Sequence, residues 1–334
     1  MNVLIVSLTP FFGGGENFIY SHISKIEKIN FTYYIACEQL FNMIQGEKRL
    51  ITVRSFCQII KNLKECIKDI NPDCIILNGG RSLFLAPFIN SFSKIVGIKH
   101  TLLGVAKFYY RPLYLLLQNL SYLFMDKVVH VSKASQNEQF FARKKALTIY
   151  NGSEPKKITK GKYKKNNFVY IGRLTYDKGV NALINVFIKL KINGYDYKLT
   201  LVGNGEIDES YPHEANVVFE GFQTELEKYY LNADYFISLT SQENCSLSVI
   251  DALSYGIPVV TTPVGGNPEL VKDGYDGYIV KQNEEAVYNL IVGTISKNTA
   301  KDYAKLSKNC LSHYEENFNI VNQRDKYKEL FESL

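Results

Sequence analysis

Residues 235–269 read YFISLTSQENCSLSVIDALSYGIPVVTTPVGGNPE. The apolar run 235–239 suits a buried strand, and the polar stretch 240–244 makes a loop. Ser246 is a good helix N-cap. Leu247, Val249, Ile250 and Leu253 then recur at helical spacing as far as Tyr255, and Gly256 ends the helix. Residues 257–261 form a second buried strand. A Gly265-Gly266 turn follows, and Pro268-Glu269 opens another helix. The result is a strand–helix–strand unit whose polar residues gather at one end, the end where parallel sheets bind their ligands.

That placement has chemical consequences. A helix N-terminus presents free backbone N–H groups and about half a positive charge, so it favours phosphate. Asn244, Cys245, Ser246 and Leu247 stand at this mouth, with Glu243 just before them and Asp251 eight positions beyond Glu243. Carboxylates accept hydrogen bonds at two oxygens and suit sugar hydroxyls. The expected ligand is a sugar, a diphosphate and a ribose in line. The plainer alternative is a capping box from Ser248 to Asp251, in which Asp251 only satisfies a backbone N–H.

The stretch resembles the family-4 retaining glycosyltransferases of the GT-B fold. Their pattern of an acid, seven residues, a second acid, Ala, and then Gly-x-Pro-Val-Val stands here as Glu243, Asp251-Ala252 and Gly256-Ile257-Pro258-Val259-Val260. Gly265-Gly266-x-x-Glu269 and Asp273-Gly274-x-x-Gly277 continue it. The resemblance implies that Glu243 holds the donor sugar and Asp251 the nucleotide ribose. Asp251 departs from the usual glutamate by one methylene, which keeps the charge and shortens the reach.

The rest of the chain fits two domains of an α/β protein. Its 334 residues suffice for two cores, and the hydrophobic content of 46% is ordinary. No apolar run approaches the ~20 residues of a membrane span. The start reads as a first strand rather than a signal peptide. Six cysteines without C-x-x-C spacing read as reduced, mostly buried thiols, which points to the cytoplasm. Residues 1–150 hold 18 Lys and Arg against 9 Asp and Glu, while 151–334 hold 21 against 24. The basic front half suits anionic lipid or a phosphate-bearing acceptor, or is simply solvated surface.

In chain order, 3–7 is a strand followed by Gly13-Gly14-Gly15-Glu16, where glycine lets a ligand approach the backbone. This loop is not G-x-G-x-x-G, so a nicotinamide site is poorly supported. Segments 31–37, 74–77, 94–99 and 126–132 read as further strands of a parallel, doubly wound sheet. His100 lies just past one of them. The resemblance places Gly14 and Gly15 at the donor phosphates and acceptor, and His100 near the donor sugar. A tight turn and a structural histidine are the alternatives.

Residues 108–124, FYYRPLYLLLQNLSYLF, with Lys107, Arg111 and Lys127 around them, read either as an interfacial surface resting on anionic lipid or as a core helix that begins after Pro112. Most of the leucines are expected inside, and the front aromatics and basic residues outside. A basic linker spans 156–167.

The second domain opens with strand 168–171 and then Gly172-Arg173, with Lys178-Gly179 heading a helix. Two cations at one strand end can neutralise a diphosphate leaving group, and the resembling family carries the same Gly-Arg-x-x-x-x-Lys-Gly. Segments 199–205 and 217–222 end further strands. The resemblance puts the nucleotide base near Phe222. Residues 303–334 read as helix.

The expected architecture is GT-B, two Rossmann-like doubly wound domains facing a central cleft. Residues 1–152 form an acceptor-binding domain and 153–310 a nucleotide-sugar domain. A helix over 311–334 crosses back toward the first. The expected function is a retaining, metal-independent glycosyltransferase that moves a sugar from a nucleoside-diphosphate donor (UDP- or GDP-linked) to a glycan or lipid-diphosphate acceptor in polysaccharide assembly. It needs no cofactor and no D-x-D metal clamp, binds no nucleic acid, and rests on the inner face of the cell membrane. A catalytically silent nucleotide-binding partner subunit of the same fold is the alternative.

Overall fold

The computed structural model describes residues 1–52, 55–89, 93–102, 110–156, 166–207 and 216–334. The chain divides into two units, Met1–Asn151 with Ile320–Leu334, and Gly152–Asn319.

The first unit is built on β1 (Asn2–Ser7), β2 (Asn30–Ile35), β3 (Glu47–Leu50), β4 (Cys74–Asn78), β5 (Lys94–Lys99), β6 (Lys127–His130) and β7 (Ala146–Thr148). All pair in parallel, in the order β3-β2-β1-β4-β5-β6-β7. The central strands β1, β4 and β5 are short runs rich in β-branched residues and leucine, and β4 is buried along its length, as a sheet covered on both faces requires. One face packs Val3, Ile5, Ile76 and Val129 with Phe18 and Leu40. The other packs Leu4, Val6, Ile75 and Leu77 with Leu63 and Tyr122.

The second unit repeats the plan with β8 (Asn167–Ile171), β9 (Lys198–Val202), β10 (Val217–Phe219), β11 (Tyr235–Ser238), β12 (Val259–Thr261) and β13 (Gly277–Ile279). The order is β10-β9-β8-β11-β12-β13, again all parallel. In each unit the strand order reverses beside the first strand, between β1 and β4 and between β8 and β11. Loops leaving the carboxyl ends of two such strands diverge, and the crevice between them binds ligands.

Two elements differ from their sequence reading. The helix expected over 311–334 is two helices. Ala300–Asn317 belongs to the second unit. Ile320–Glu332 packs Tyr327, Leu330 and Phe331 into the first unit's core beside Val3 and Ile5. No Gly or Pro marks the break. Instead the Phe318 carbonyl accepts from the Ser153 amide (3.0 Å) and Asn319 pairs with Ser153, a tertiary pairing that local sequence does not encode.

The helix Arg111–Ser121 also turns the opposite way from the expectation. Its buried residues are Gln118, Asn119 and Ser121, whereas Leu113, Leu116, Leu117 and Leu120 are exposed. Asn119 explains the orientation. Its side chain accepts from the Phe140 amide (2.7 Å) and donates to the Glu138 carbonyl (3.1 Å), which fixes the polar face inward. Lys107 lies outside the described residues, as does most of the linker 156–167.

The cysteines are free and buried except Cys57, which is exposed. Among the described residues, no helix is long and apolar enough to cross a membrane.

Candidate active site

The second unit gathers its candidate residues where β8 and β11 end. Gly172 leaves β8 at φ +157°, and its amide donates to the Val202 carbonyl (3.0 Å). A Cβ on Gly203 would lie 1.9 Å from the Gly172 oxygen, so the two strand-end loops touch backbone to backbone. The chain then makes a short turn, Tyr176–Lys178, and enters the helix Val180–Ile192 through Gly179.

Gly179 sits at φ +71°, and a Cβ there would stand 2.2 Å from the Leu239 carbonyl oxygen. Only glycine allows this approach, and it seats the turn on the loop after β11. The Asp177 carbonyl accepts from the Ser241 amide (2.8 Å) and hydroxyl (2.9 Å).

This seating brings Lys178 to Glu243. The Lys178 Nζ stands 2.9 Å from Glu243 Oε2, and the side chains keep only 18% and 22% of their exposure. Glu243 Oε1 accepts from the Asn244 amide (3.0 Å), and the Glu243 carbonyl accepts from the Gly266 amide (3.2 Å). Beneath them lies a buried polar lattice. Thr262 Oγ1 donates to the Thr240 carbonyl (2.7 Å), and Asn267 Nδ2 to Thr261 Oγ1 (2.9 Å). Both glutamate oxygens and its backbone are therefore held, a preorganised geometry for a charged group at a site.

Arg173 stands apart. Its side chain is 71% exposed, and its ionic neighbour is Asp177 at 3.9 Å. The structure brings Lys178 and Glu243 together and leaves Arg173 in solvent.

The helix Leu247–Ser254 begins one turn beyond Glu243. Ser246 is its N-cap, with Oγ accepting from the Val249 amide (3.4 Å). The first-turn amides are thus those of Leu247 to Val249, while Asn244 and Cys245 are buried ahead of the turn. Asp251 does not cap this helix. Its Oδ1 accepts a short hydrogen bond from the Ser153 hydroxyl, and the Ser153 carbonyl accepts from Tyr314 Oη (2.7 Å). Burial pushes the Asp251 carboxyl above the ordinary aspartate range, against the pull of Ser153 and Lys156. Ser153 escaped the sequence reading because it lies 98 residues from its partner and in no motif.

The match Asp273-Gly274-x-x-Gly277 proves to be turn and strand-packing geometry. Asp273 Oδ1 accepts from the Ile279 amide (2.9 Å), and a Cβ on Gly277 would lie 2.1 Å from the Val259 oxygen. Phe222 follows β10 with 69% of its surface exposed, an aromatic face open to stacking.

The first unit forms its own ensemble at the ends of β1, β4 and β5. Asn78 Nδ2 donates to the Gly15 carbonyl (3.3 Å), so Asn78 Oδ1 faces His100 and accepts from its Nε2–H (2.8 Å). This network assigns the tautomer and leaves Nδ1 as the ring's acceptor. Burial lowers the His100 pKa to about 3, with a smaller push from His22, so the ring is neutral near pH 7. It packs on Phe18 at 4.9 Å between centroids. A Cβ on Gly15 would lie 3.3 Å from the ring, whereas one on Gly14 would meet open space. Glu16, also buried, accepts from Ser7 Oγ (3.0 Å) and is raised in pKa by desolvation. Asn78 and Glu16 were missed as members of this ensemble.

Residues 153–312 match the family of glycosyl transferases group 1. The match covers nearly all of the second unit, and the crevice just described lies within it. An uncharacterised glycosyltransferase of Methanocaldococcus jannaschii is 31% identical over 236 residues, which cover 63% of this chain and 59% of the relative. The UDP-Gal:alpha-D-GlcNAc-diphosphoundecaprenol alpha-1,3-galactosyltransferase of Escherichia coli is 26% identical over 180 residues, 50% of this chain and 46% of that protein. The chain spans about half the length of the curated relatives it matches. Anabaena HepE, solved with UDP, superimposes with a TM-score of 0.85 over 100% of both chains at 18% identity. That likeness establishes the fold, GT-B with two Rossmann-like units.

Proposed function

We propose that this chain is a retaining, metal-independent glycosyltransferase that moves a sugar from a nucleoside-diphosphate donor to a hydroxyl of a glycan or lipid-diphosphate acceptor, in surface-polysaccharide assembly. The observation that carries the reading is the Lys178–Glu243 pair at the switch point of a group 1 domain, one turn before a helix N-terminus. A cation beside a carboxylate at that mouth suits the junction of a phosphate and a sugar. The galactosyltransferase relative, whose name specifies a UDP-sugar and a diphosphoundecaprenol-linked acceptor, supports the donor and acceptor classes.

In this reading Lys178 and the Leu247 and Ser248 amides receive the diphosphate, with Arg173 swinging in from solvent. Glu243 accepts from sugar hydroxyls, Asp251 Oδ2 from the ribose, and Phe222 stacks on the base. Gly14, Gly15 and His100 serve the transfer from the first unit, with His100 Nδ1 accepting from a hydroxyl. The acceptor oxygen attacks the anomeric carbon on the face that the phosphate leaves. The C1–O bond to phosphate breaks with its electron pair on the phosphate, and the acceptor proton passes to that oxygen. Charge developing on the leaving diphosphate is met by Lys178 and the helix amides.

The test is a screen of UDP- and GDP-sugars for turnover with a lipid-diphosphate glycan, with and without a chelator. Product anomeric configuration would be read by NMR. Transfer with retention that persists in chelator is the expected result. Binding of nucleotide with no transfer to any acceptor or water would favour a silent partner subunit.

A further inference from the structure

The helix Arg111–Ser121 and the turn Tyr122–Phe124 that follows it carry an apolar stripe on their outer side. Leu113, Leu116, Leu117, Leu120, Leu123 and Phe124 recur at intervals of three and four, and each keeps 38 to 56% of its surface exposed. The inner side holds the polar residues, with Gln118, Asn119 and Ser121 at 3% exposure or less. A surface helix of an α/β unit normally has the reverse arrangement. A contiguous exposed stripe of this kind marks an interaction site.

Charge identifies the occupant. From Cys74 to Met125 the sequence contains no Asp or Glu, and Arg81 and Arg111 are exposed within it, whereas Lys99 is buried against Glu138 and Lys94 pairs with Asp126. Arg111 is exposed at the head of the stripe. At its foot, Lys145 Nζ donates to the carbonyls of Leu123 (3.0 Å) and Met125 (2.6 Å), which fixes a cation against the last apolar residues. Beside it opens a cleft of about 400 Å³ lined by Lys127, Lys144, Lys145 and Lys326, with Glu329 the one acid among its walls. A second copy docked through this face would set like charges together. An anionic bilayer offers hydrocarbon to the leucines and phosphate to the lysines.

We infer that the outer face of residues 111–124, with the lysine cleft at its foot, docks this protein on the surface of an anionic phospholipid bilayer. The stripe lies in the interface without spanning it, since eleven helical residues reach about 16 Å. The inference deepens the lipid-linked acceptor reading by naming the surface that meets the membrane. Its test reads binding alone and stands apart from transfer.

The full chain is sedimented with vesicles of phosphatidylcholine, and with vesicles containing phosphatidylglycerol as well, at low and high salt. Binding to the mixed vesicles that weakens with salt is expected. Lys144→Ala with Lys326→Ala should lower partitioning on the order of twentyfold, from about fivefold per cation. Leu116→Ser, Leu117→Ser and Leu120→Ser together should lower it at least about tenfold, with the fold retained in circular dichroism because these side chains lie outside the core. Equal recovery on neutral and mixed vesicles would overturn the inference. So would partitioning that neither set of variants reduces. A dimer in light scattering that the leucine variant dissolves, without vesicle binding, would assign the stripe to a second copy instead.

Discussion

Replacing Glu243 by Gln tests the pairing at the centre of the site. The Lys178 ammonium stands 2.9 Å from the carboxylate, with both side chains about four-fifths buried. At an effective dielectric of 20, that separation corresponds to about 6 kcal/mol of gross attraction. Desolvation cancels most of it, and a hydrogen bond between charged groups nets about 1.5–3 kcal/mol. Gln keeps the shape and removes the charge, so Lys178 becomes available to phosphate. Bare nucleoside diphosphate should then bind as well as before or up to roughly tenfold tighter, since 1.4 kcal/mol is a factor of ten. Transfer should fall by about 10²–10³, the usual loss when one preorganised electrostatic contact is removed. Lys178→Ala should act in the opposite sense. It removes the cation and leaves Glu243 facing the diphosphate, so nucleotide affinity should drop about 10- to 100-fold. The double variant should regain part of that loss, because the stranded carboxylate is gone. Calorimetry with UDP and GDP on all four proteins, alongside turnover, measures the cycle. If Glu243→Gln weakens the bare nucleotide as much as Lys178→Ala does, Glu243 holds the nucleotide and the division of labour is wrong.

Two other perturbations follow from the same unit. Asp251 has a carboxyl pKa raised by burial, so the folded state holds that proton more tightly than the unfolded state does. Its contribution to stability therefore falls as pH rises from the ordinary aspartate value through the raised one, and stays lowered above it. Asp251→Asn should flatten that limb in a pH series of melting curves. It should also raise the melting temperature at pH 7 by roughly 2–4 °C, about 1 kcal/mol for a unit this size, while weakening nucleotide binding; an unchanged pH series would mean the charge is already compensated. Gly179→Ala must place a methyl 2.2 Å from the Leu239 oxygen at φ +71°. It should cost more than about 2 kcal/mol in denaturant unfolding and lower nucleotide affinity by displacing Lys178, and a variant as stable as the parent would contradict the close approach.

Much of this site was legible because its residues are local to strand ends. Strands β8 and β11 are continuous apolar runs, and the loops leaving them carry Gly172, Lys178-Gly179 and Glu243 at fixed offsets. A reader who knows that parallel sheets bind ligands at those ends can collect these residues without coordinates. What stayed hidden was pairing. The sequence offers Lys178 and Glu243 as two groups with two tasks, and only the fold shows them 2.9 Å apart. Ser153 is invisible for the same reason, being chosen by the way its segment meets Phe318 and Asn319 rather than by any neighbour in the chain. Strands β3, β7 and β13 also escaped notice. They are three or four residues long, stand at or next to the sheet edges, and β3 reads Glu-Lys-Arg-Leu, with no apolar run to reveal it.

The helix Arg111–Ser121 was misread for a different physical reason. Periodicity shows that a helix has an apolar face, but it does not say which way the face turns. The usual assumption is that leucines go inward because water is the only alternative. Here the inward face is claimed by hydrogen bonds. Asn119 satisfies two amides and two carbonyls, groups that would be costly to bury unpaired. With Gln118, Asn119 and Ser121 all turned inward, helical geometry carries Leu116, Leu117 and Leu120 to the outside. On the docking inference above, those exposed leucines rest on lipid rather than in water. The same exposure is what makes the docking inference testable with substitutions that leave the core untouched.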